Sequence, residues 1–430
     1  MKLKRELGLL ETTFYGIGVI IGAGIFALIG EVAGLAGNSA WVSFLIGAFV
    51  AIFTGLTYAE LSAMYPKAGA AFVYVKKAYG SEFWAFLIGW LLIFALVSGI
   101  AAVSLGFSGY FTKLLGIESS WAKIVVSILL ILSLSFLNFL GIKESSRFFI
   151  TTSFIVLLSL ILIIFLGFFG SPANFQKFFE APSLTGVFSA AALVFFAYLG
   201  FEDVVNLAEE TKNPTKIIPL ALILSVVITT VIYALVSISV LNLVGWEELS
   251  RSSAPLALAA SKVLGEKAFV FISLAALLTT ADTSLGLMLS ASRMMYGMAE
   301  ENSLPKILSK VHSKRKTPYF AIFLVAALAM AFVFFRDIDK VAKITSLGSL
   351  LAFIAANLSL IHLRLIRPDI ERKFMAPLNI GKFPLTAFFG TISCMALLGY
   401  FEIELIFVTL AILVIGSLVF VIRKRRKKSI

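Results

Sequence analysis

Glycines and acids inside apolar stretches are the residues of this sequence whose types and spacing could do chemistry. Residues 11–34 include six glycines among 24 residues. Each glycine in a helix interior costs about 1 kcal/mol relative to alanine. We therefore predict that a helix breaks at Gly22-Ala23-Gly24 and leaves backbone N–H and C=O groups free to bind a small ligand.

The composition places this constellation in a membrane. Of the 430 residues, 60% are hydrophobic and 14% are charged, against about 25% charged residues in a soluble domain. We expect an all-α polytopic membrane protein, because apolar runs long enough to cross a bilayer recur from end to end. The twelve predicted spans are 11–34, 41–64, 83–111, 122–140, 148–169, 183–208, 217–241, 268–298, 319–335, 344–363, 383–400 and 405–422.

The net charge of +12 follows the membrane topology. With the N-terminus inside, 27 of the 36 Lys and Arg residues fall on the inner side, which predicts cytoplasmic N- and C-termini in a cytoplasmic membrane. The basic tail at 423–428 suits anionic lipid rather than nucleic acid. Glu60, at the inner end of the second span, is expected to pair with a loop lysine. The single cysteine, Cys394, excludes an intrachain disulfide, and with two histidines we expect no metal site and no cofactor.

A second interruption lies in the sixth span. Ala197-Tyr198-Leu199-Gly200-Phe201 runs directly into Glu202 and Asp203, and a charge at that depth costs a few kcal/mol or more unless it is paired or wetted. The first and sixth spans run in opposite directions, and interrupted helices at corresponding positions indicate an inverted-repeat transporter. We predict a single domain over 1–430, with five-helix repeats at 11–169 and 183–363 and two further helices at 383–422.

Several motifs resemble the amino acid–polyamine–organocation superfamily. They are GIGVIIGAGIFALIG, YAELSAMYPKAGAAFVYVKKAYG, FFAYLGFE with AEETKNP, and ASRMMYGMAEENSLP. GEVAG at 30–34 and GFSGYF at 106–111 are similar to its cationic amino acid transporter branch. The resemblance covers residues 9–305 and implies a transporter with discontinuous helices 1 and 6. No nucleophile–base constellation is found, so we expect no enzyme and no catalytic residues.

The two breaks supply what a zwitterionic amino acid needs, which is donors for its carboxylate and acceptors for its amine. The N–H groups after the first break lie at a positive helix end and suit the carboxylate, and freed carbonyls suit an ammonium. The resemblance to the superfamily implies the same roles for these N–H and carbonyl groups. Tyr198 is in addition a candidate gate. Tight helix packing is the alternative role for the glycines. The candidate substrate-binding residues are Ile21, Gly22, Ala23, Gly24, Ile25, Phe196, Ala197, Tyr198, Leu199, Gly200 and Glu202.

Asp282 in the eighth span is deep enough to be functional by default. The resemblance to sodium-coupled relatives implies that nearby hydroxyls serve an ion, and Asp282 could hold sodium or a proton. Proton-coupled relatives carry a lysine in the fifth span, where this sequence has Val156 and no lysine from 148 to 169. The candidate ion-coupling residues are Asp282, Thr279, Thr280, Thr283 and Ser284.

These observations predict a secondary active amino acid transporter that works by alternating access with ion-coupled symport. An exchanger is one alternative. A polyamine or organic cation transporter is another, which Glu202, Asp203 and Asp282 leave open, although Leu91 and Ala95 stand where the cationic branch tends to carry acids. A channel or sensor on the same fold is a further alternative, but a channel favours polar groups along its whole length.

Overall fold

The structure, a computed structural model, describes residues 3–117, 119–170, 184–252, 254–334 and 338–428. Within these ranges it is almost entirely helical, as expected for apolar runs that must satisfy their own backbone hydrogen bonds. The helices are α1 Leu9–Ile20, α2 Ala23–Ala36, α3 Ala40–Met64, α4 Ala70–Tyr79, α5 Glu82–Leu114, α6 Ser120–Leu140, α7 Ile142–Phe169, α8 Leu184–Tyr198, α9 Pro214–Leu243, α10 Trp246–Ser250, α11 Pro255–Leu264, α12 Glu266–Glu300, α13 Tyr319–Val333, α14 Ile338–Ile366, α15 Leu385–Leu398 and α16 Ile403–Lys428, with 3₁₀ helices at Gly37–Ser39, Phe201–Leu207 and Lys306–Ser309.

All twelve predicted spans are present as helices. Ten stretches of the described chain are long and apolar enough to cross a membrane, and α13 and α15 are shorter apolar helices of 15 and 14 residues. We number the spans 1 to 12, with α1 and α2 as span 1 and α8 with its 3₁₀ continuation as span 6. The remaining spans, in chain order, are α3, α5, α6, α7, α9, α12, α13, α14, α15 and α16. The predicted ends at 183 and 335 lie outside the described residues.

Spans 1 and 6 are both interrupted, as predicted. The first break is at Ile21 and Gly22, where neither residue is helical. The second lies at Leu199 and Gly200, and Gly200 has a left-handed φ of 111°, which a side chain rarely adopts. Both breaks therefore sit within a residue or two of the glycines that predicted them.

The helix pairs support the predicted inverted repeat. Span 1 packs on span 7 as span 6 packs on span 2, and span 3 packs on span 10 as span 8 packs on span 5. Span 4 likewise contacts span 8 as span 9 contacts span 3. Exchanging each span with the one five places later maps these pairs onto one another, as two oppositely oriented halves require.

One prediction about the ends of the spans is wrong. Glu60 does not pair with a loop lysine. Its carboxylate pairs with Arg364 at the end of α14 and lies 3.3 Å from Arg372 Nε in the loop that follows. A two-stranded hairpin, β1 Asn379–Ile380 with β2 Phe383–Pro384, closes this loop, so span 11 begins two residues later than predicted.

Candidate functional site

The two breaks meet in the buried interior of the molecule. The first turn of α2 packs directly on the end of α8, and a Cβ added at Gly24 would overlap the side chain of Ala197. From α9, the hydroxyl of Tyr233 lies 2.7 Å from the carbonyl oxygen of Ile20 and 3.1 Å from that of Ala197. One side chain of span 7 therefore contacts both interrupted helices.

The start of α2 offers donors to an anion. Ala23, Gly24 and Ile25 form its first turn after the N-cap residue Gly22, and the N–H groups of a first turn have no acceptor within their own helix. The partial positive charge of the helix end reinforces them. A carboxylate group is the ligand that this end favours.

The side-chain positions of the two glycines at this break are filled by protein. A Cβ at Gly22 would overlap Thr283, as one at Gly24 would overlap Ala197. Helix packing therefore accounts for the absence of side chains here, alongside any close approach of a ligand. Replacing Gly24 would disturb the contact between spans 1 and 6, so it is a poor test of ligand binding.

Two of the four predicted ion-coupling hydroxyls face the first break. Thr279 donates a hydrogen bond to the carbonyl oxygen of Ile21, and the hydroxyl of Thr283 lies 3.4 Å from the carbonyl oxygen of Gly18. The other two lie elsewhere. Thr280 donates to carbonyls of its own helix, and Ser284 pairs with a serine of α5.

Asp282 is buried against span 1, where its Oδ2 atom accepts a hydrogen bond of 3.0 Å from the Ser153 hydroxyl. Its Oδ1 atom has no hydrogen-bond partner among the described residues. A Cβ at Gly18 would lie 2.5 Å from Oδ2, so glycine is what lets the carboxylate approach the span-1 backbone. A crevice too narrow for a water molecule lies here, lined by Ile17, Gly18, Ile21, Ser153, Val156, Thr279 and Asp282.

Around the second break, the acids have different surroundings. The Glu202 carboxylate accepts a hydrogen bond of 3.0 Å from the N–H of Gly200 and so stabilises the turn. Asp203 is buried, and its Oδ2 atom has no partner in the described part of the chain. Its carbonyl lies 3.5 Å from the hydroxyl of Ser290, which is eight residues, or about 12 Å of helix, beyond Asp282.

The remaining predicted residues of span 6 are divided between the break and the protein interior. Phe196 and Leu199 are half-buried, and the N–H of Leu199 donates to the carbonyl of Phe196. Tyr198 is buried and donates a hydrogen bond of 3.1 Å to the Phe44 carbonyl of α3. Tyr198 thus packs against span 2 instead of covering the break.

The sequence reasoning missed Tyr233 and Ser153. Both lie far along the chain from the residues they contact, so no local spacing indicates the contacts. A partial signal was available, since a tyrosine in an apolar span needs a partner for its hydroxyl. The same signal is present at Tyr198, the candidate gate.

A buried ion pair lies at the ends of spans 6 and 8. Arg293 of α12 binds both carboxylate oxygens of Glu210 at 3.0 Å and reaches the Asn138 side-chain oxygen of α6. The carbonyl of Glu210 in turn accepts the N–H groups of Glu6 and Leu7. The segment before span 1 is thereby joined to the end of span 6 and to spans 4 and 8.

Comparison with known proteins agrees with this architecture. The profile of the amino acid permease family matches residues 7–422. The chain is 34% identical over 395 residues to the branched-chain amino acid permease BcaP of Bacillus subtilis, covering 87% of this chain and 84% of that protein. It is 32% identical over 394 residues to the methylthioribose transporter of the same organism, with 87% and 84% covered.

A plant protein is also similar. The vacuolar cationic amino acid transporter 4 of Arabidopsis thaliana is 29% identical over 389 residues, which are 86% of this chain and 64% of that protein. All three relatives are named as permeases or transporters, and none as an enzyme. The chain therefore belongs to the amino acid permease family within the amino acid–polyamine–organocation superfamily, and it is a multi-pass membrane transport protein.

Proposed function

We propose that the protein is a secondary active transporter that carries amino acids across the cytoplasmic membrane by ion-coupled symport. Alternating access would take place around the two breaks, by movement of the repeats 11–169 and 183–363 against each other. The N- and C-termini would lie in the cytoplasm, as the distribution of Lys and Arg favours. The single observation that carries the coupling is the buried carboxylate of Asp282 against the broken span 1.

The substrate would bind between the breaks. The first N–H groups of α2 would hold its carboxylate, and carbonyls at the end of α8 would hold its ammonium. A relative is named for branched-chain amino acids, and Leu91 and Ala95, both buried in α5, pack against Gly348 of span 10. These points favour a zwitterionic apolar amino acid, with leucine as the first to test.

Asp282 would carry the coupling ion. A buried carboxylate without a countercharge is costly, and the described hydrogen-bond donor to the Asp282 carboxylate is the Ser153 hydroxyl. Besides Asp282, the side chains that line the same crevice are the apolar Ile17, Ile21 and Val156 and the hydroxyl-bearing Ser153 and Thr279. Two hydroxyls and one carboxylate are few oxygen atoms to surround a sodium ion. We therefore favour a proton, carried by span 8 in a chain that has no lysine from 148 to 169.

The acids do not form a shared cation site, which argues against a polyamine substrate. Glu202 is engaged by the turn at Gly200, and Asp203 lies near Ser290, two helical turns from Asp282. A polyamine would need several carboxylates around one cavity.

The test is uptake of radiolabelled leucine and other amino acids into proteoliposomes, with an imposed proton or sodium gradient. We expect accumulation driven by the proton gradient. Asp282→Asn should lose this accumulation while it still exchanges external for preloaded substrate, because only the ion site is altered. Accumulation by the variant with an unchanged gradient dependence would contradict the role of Asp282.

Two serines of α7 provide a matched pair for the same assay. Ser153→Ala removes the hydroxyl that binds Asp282 and should shift the dependence on external pH. Ser159→Ala removes a hydroxyl that donates to the Val156 carbonyl of its own helix and should behave as wild type. Uptake by wild type only into preloaded vesicles would instead establish an exchanger.

A further inference from the structure

Tyr233 is the one described side chain whose hydroxyl reaches the backbone of both breaks. Its oxygen lies 2.7 Å from the Ile20 carbonyl oxygen at the end of α1 and 3.1 Å from the Ala197 carbonyl oxygen at the end of α8. The side chain is completely buried. Neither the family profile nor the names of the relatives assign it a role.

We propose that Tyr233 is a positioning residue for the substrate's ammonium group, because it holds the carbonyls of Ile20 and Ala197 together at the meeting point of the two breaks. The inference rests on the proposed function, since it concerns how that site recognises an amine. It adds a side chain of span 7 to a site otherwise built from the backbone of spans 1 and 6.

The geometry follows from the donors and acceptors present. Two carbonyl oxygens that face one point repel each other, and a phenol has a single hydrogen to place between them along with two lone pairs. An arriving ammonium brings three donors. The hydroxyl can then donate its hydrogen bond to one carbonyl and accept a hydrogen bond from the ammonium. The ammonium donates a second hydrogen bond to the other carbonyl.

The ring of Tyr233 is held in place independently of its hydroxyl. It packs edge-on against Phe44, with ring centroids 5.5 Å apart, and against Tyr198 at 5.4 Å. Removal of the hydroxyl alone should therefore leave the ring where it is. The fixed ring makes the hydroxyl a precise spacer between the ends of α1 and α8.

Tyr198 provides the matched control. It belongs to the same aromatic cluster and is equally buried, but its hydroxyl donates to a single carbonyl, that of Phe44 in span 2. Tyr198→Phe and Tyr233→Phe thus remove the same atom from neighbouring rings. Only Tyr233→Phe removes a contact to the two breaks.

The experiment is equilibrium binding of radiolabelled leucine to the purified full-length protein, with competition by leucine, alanine and their deaminated counterparts 4-methylpentanoate and propionate. We expect Tyr233→Phe to weaken the binding of leucine and alanine about tenfold, which corresponds to about 1.4 kcal/mol or one hydrogen bond. The affinity for the two deaminated acids should change less than twofold, because these acids present no amine. In transport, KM should rise more than kcat falls.

The outcomes separate the two levels of the argument. Equal weakening of amino acids and deaminated acids, or the same losses in Tyr198→Phe, would reduce Tyr233 to a structural link and overturn the inference, while the proposed function would stand. Thermal unfolding of both variants identifies such a structural effect directly. Wild-type protein that binds neither leucine nor alanine would overturn the proposed function and this inference with it.

Discussion

Glu210→Gln tests the buried ion pair that joins spans 4, 6 and 8. In the wild type, the Glu210 carboxylate meets Arg293 with two hydrogen bonds of 3.0 Å, and the two side chains are 1% and 0% exposed. The substitution preserves shape but leaves the guanidinium without its countercharge. It also turns an amide N–H₂ group toward a group that only donates.

The expected loss of stability is large for a single substitution. Removing one partner of a buried salt bridge costs about 3–5 kcal/mol. Arg293 retains acceptors in Asn138, at 2.5 Å, and in Ser292, at 3.1 Å, so we expect the lower end, about 3 kcal/mol. At roughly 2 °C per kcal/mol for a large chain, the unfolding midpoint should fall by about 6 °C.

The assay is thermal unfolding of the purified protein in one detergent at pH 7. The double variant Glu210→Gln with Arg293→Met should recover most of the loss, because an apolar residue in place of Arg293 removes the unpaired charge. A midpoint within 1 °C or so of wild type for Glu210→Gln would refute the reasoning. Loss in the double variant equal to the sum of both single losses would refute it as well.

Two further predictions concern packing and pH. Gly16→Ala should lower the free energy of unfolding by about 1–3 kcal/mol, because its Cβ would lie within 2.9 Å of side chains from α9 and the 3₁₀ helix of span 6. The control is Gly106→Ala, whose Cβ would meet nothing within 4 Å and which should be neutral or stabilising by up to about 1 kcal/mol. Equal effects of the two substitutions would contradict the contact at Gly16. Hydrogen bonds from Lys67 and Lys76 lower the pKa of Glu301 to about 2. Since this pKa is depressed, the ion pairs stabilise the fold at neutral pH and lose their contribution as pH falls from about 4.5 toward 2. The free energies of unfolding of wild type and Glu301→Gln should therefore differ slightly at pH 7, by less than about 1 kcal/mol for a partly exposed group, and should converge near pH 2. A difference that stays constant with pH would contradict the pairing.

The breaks show how far local sequence can lead. Gly22 and Gly200 lie at the interruptions because glycine inside a helix is costly and because a φ of 111° at Gly200 suits glycine alone. The span count followed from hydropathy, since a bilayer accepts only segments that satisfy their own backbone. These properties depend on neighbouring residues, so composition and spacing were sufficient to predict them.

The contacts within the site required the tertiary structure. Both Thr279 and Thr280 were candidates, but only Thr279 faces the first break, because consecutive residues of a helix point about 100° apart and the helix orientation is set by packing. Glu60 found its partner in Arg364, 304 residues away, instead of a nearby lysine. Tyr233 reaches Ile20 across 213 residues for the same reason.

The sequence by itself therefore determined that this is a twelve-span amino acid permease with broken helices 1 and 6, since hydrophobicity, glycine content and motif are properties of short segments. Only the tertiary structure decided which side chains meet at the breaks. Such meetings depend on how helices from distant parts of the chain pack and rotate against each other, and no local pattern records that arrangement.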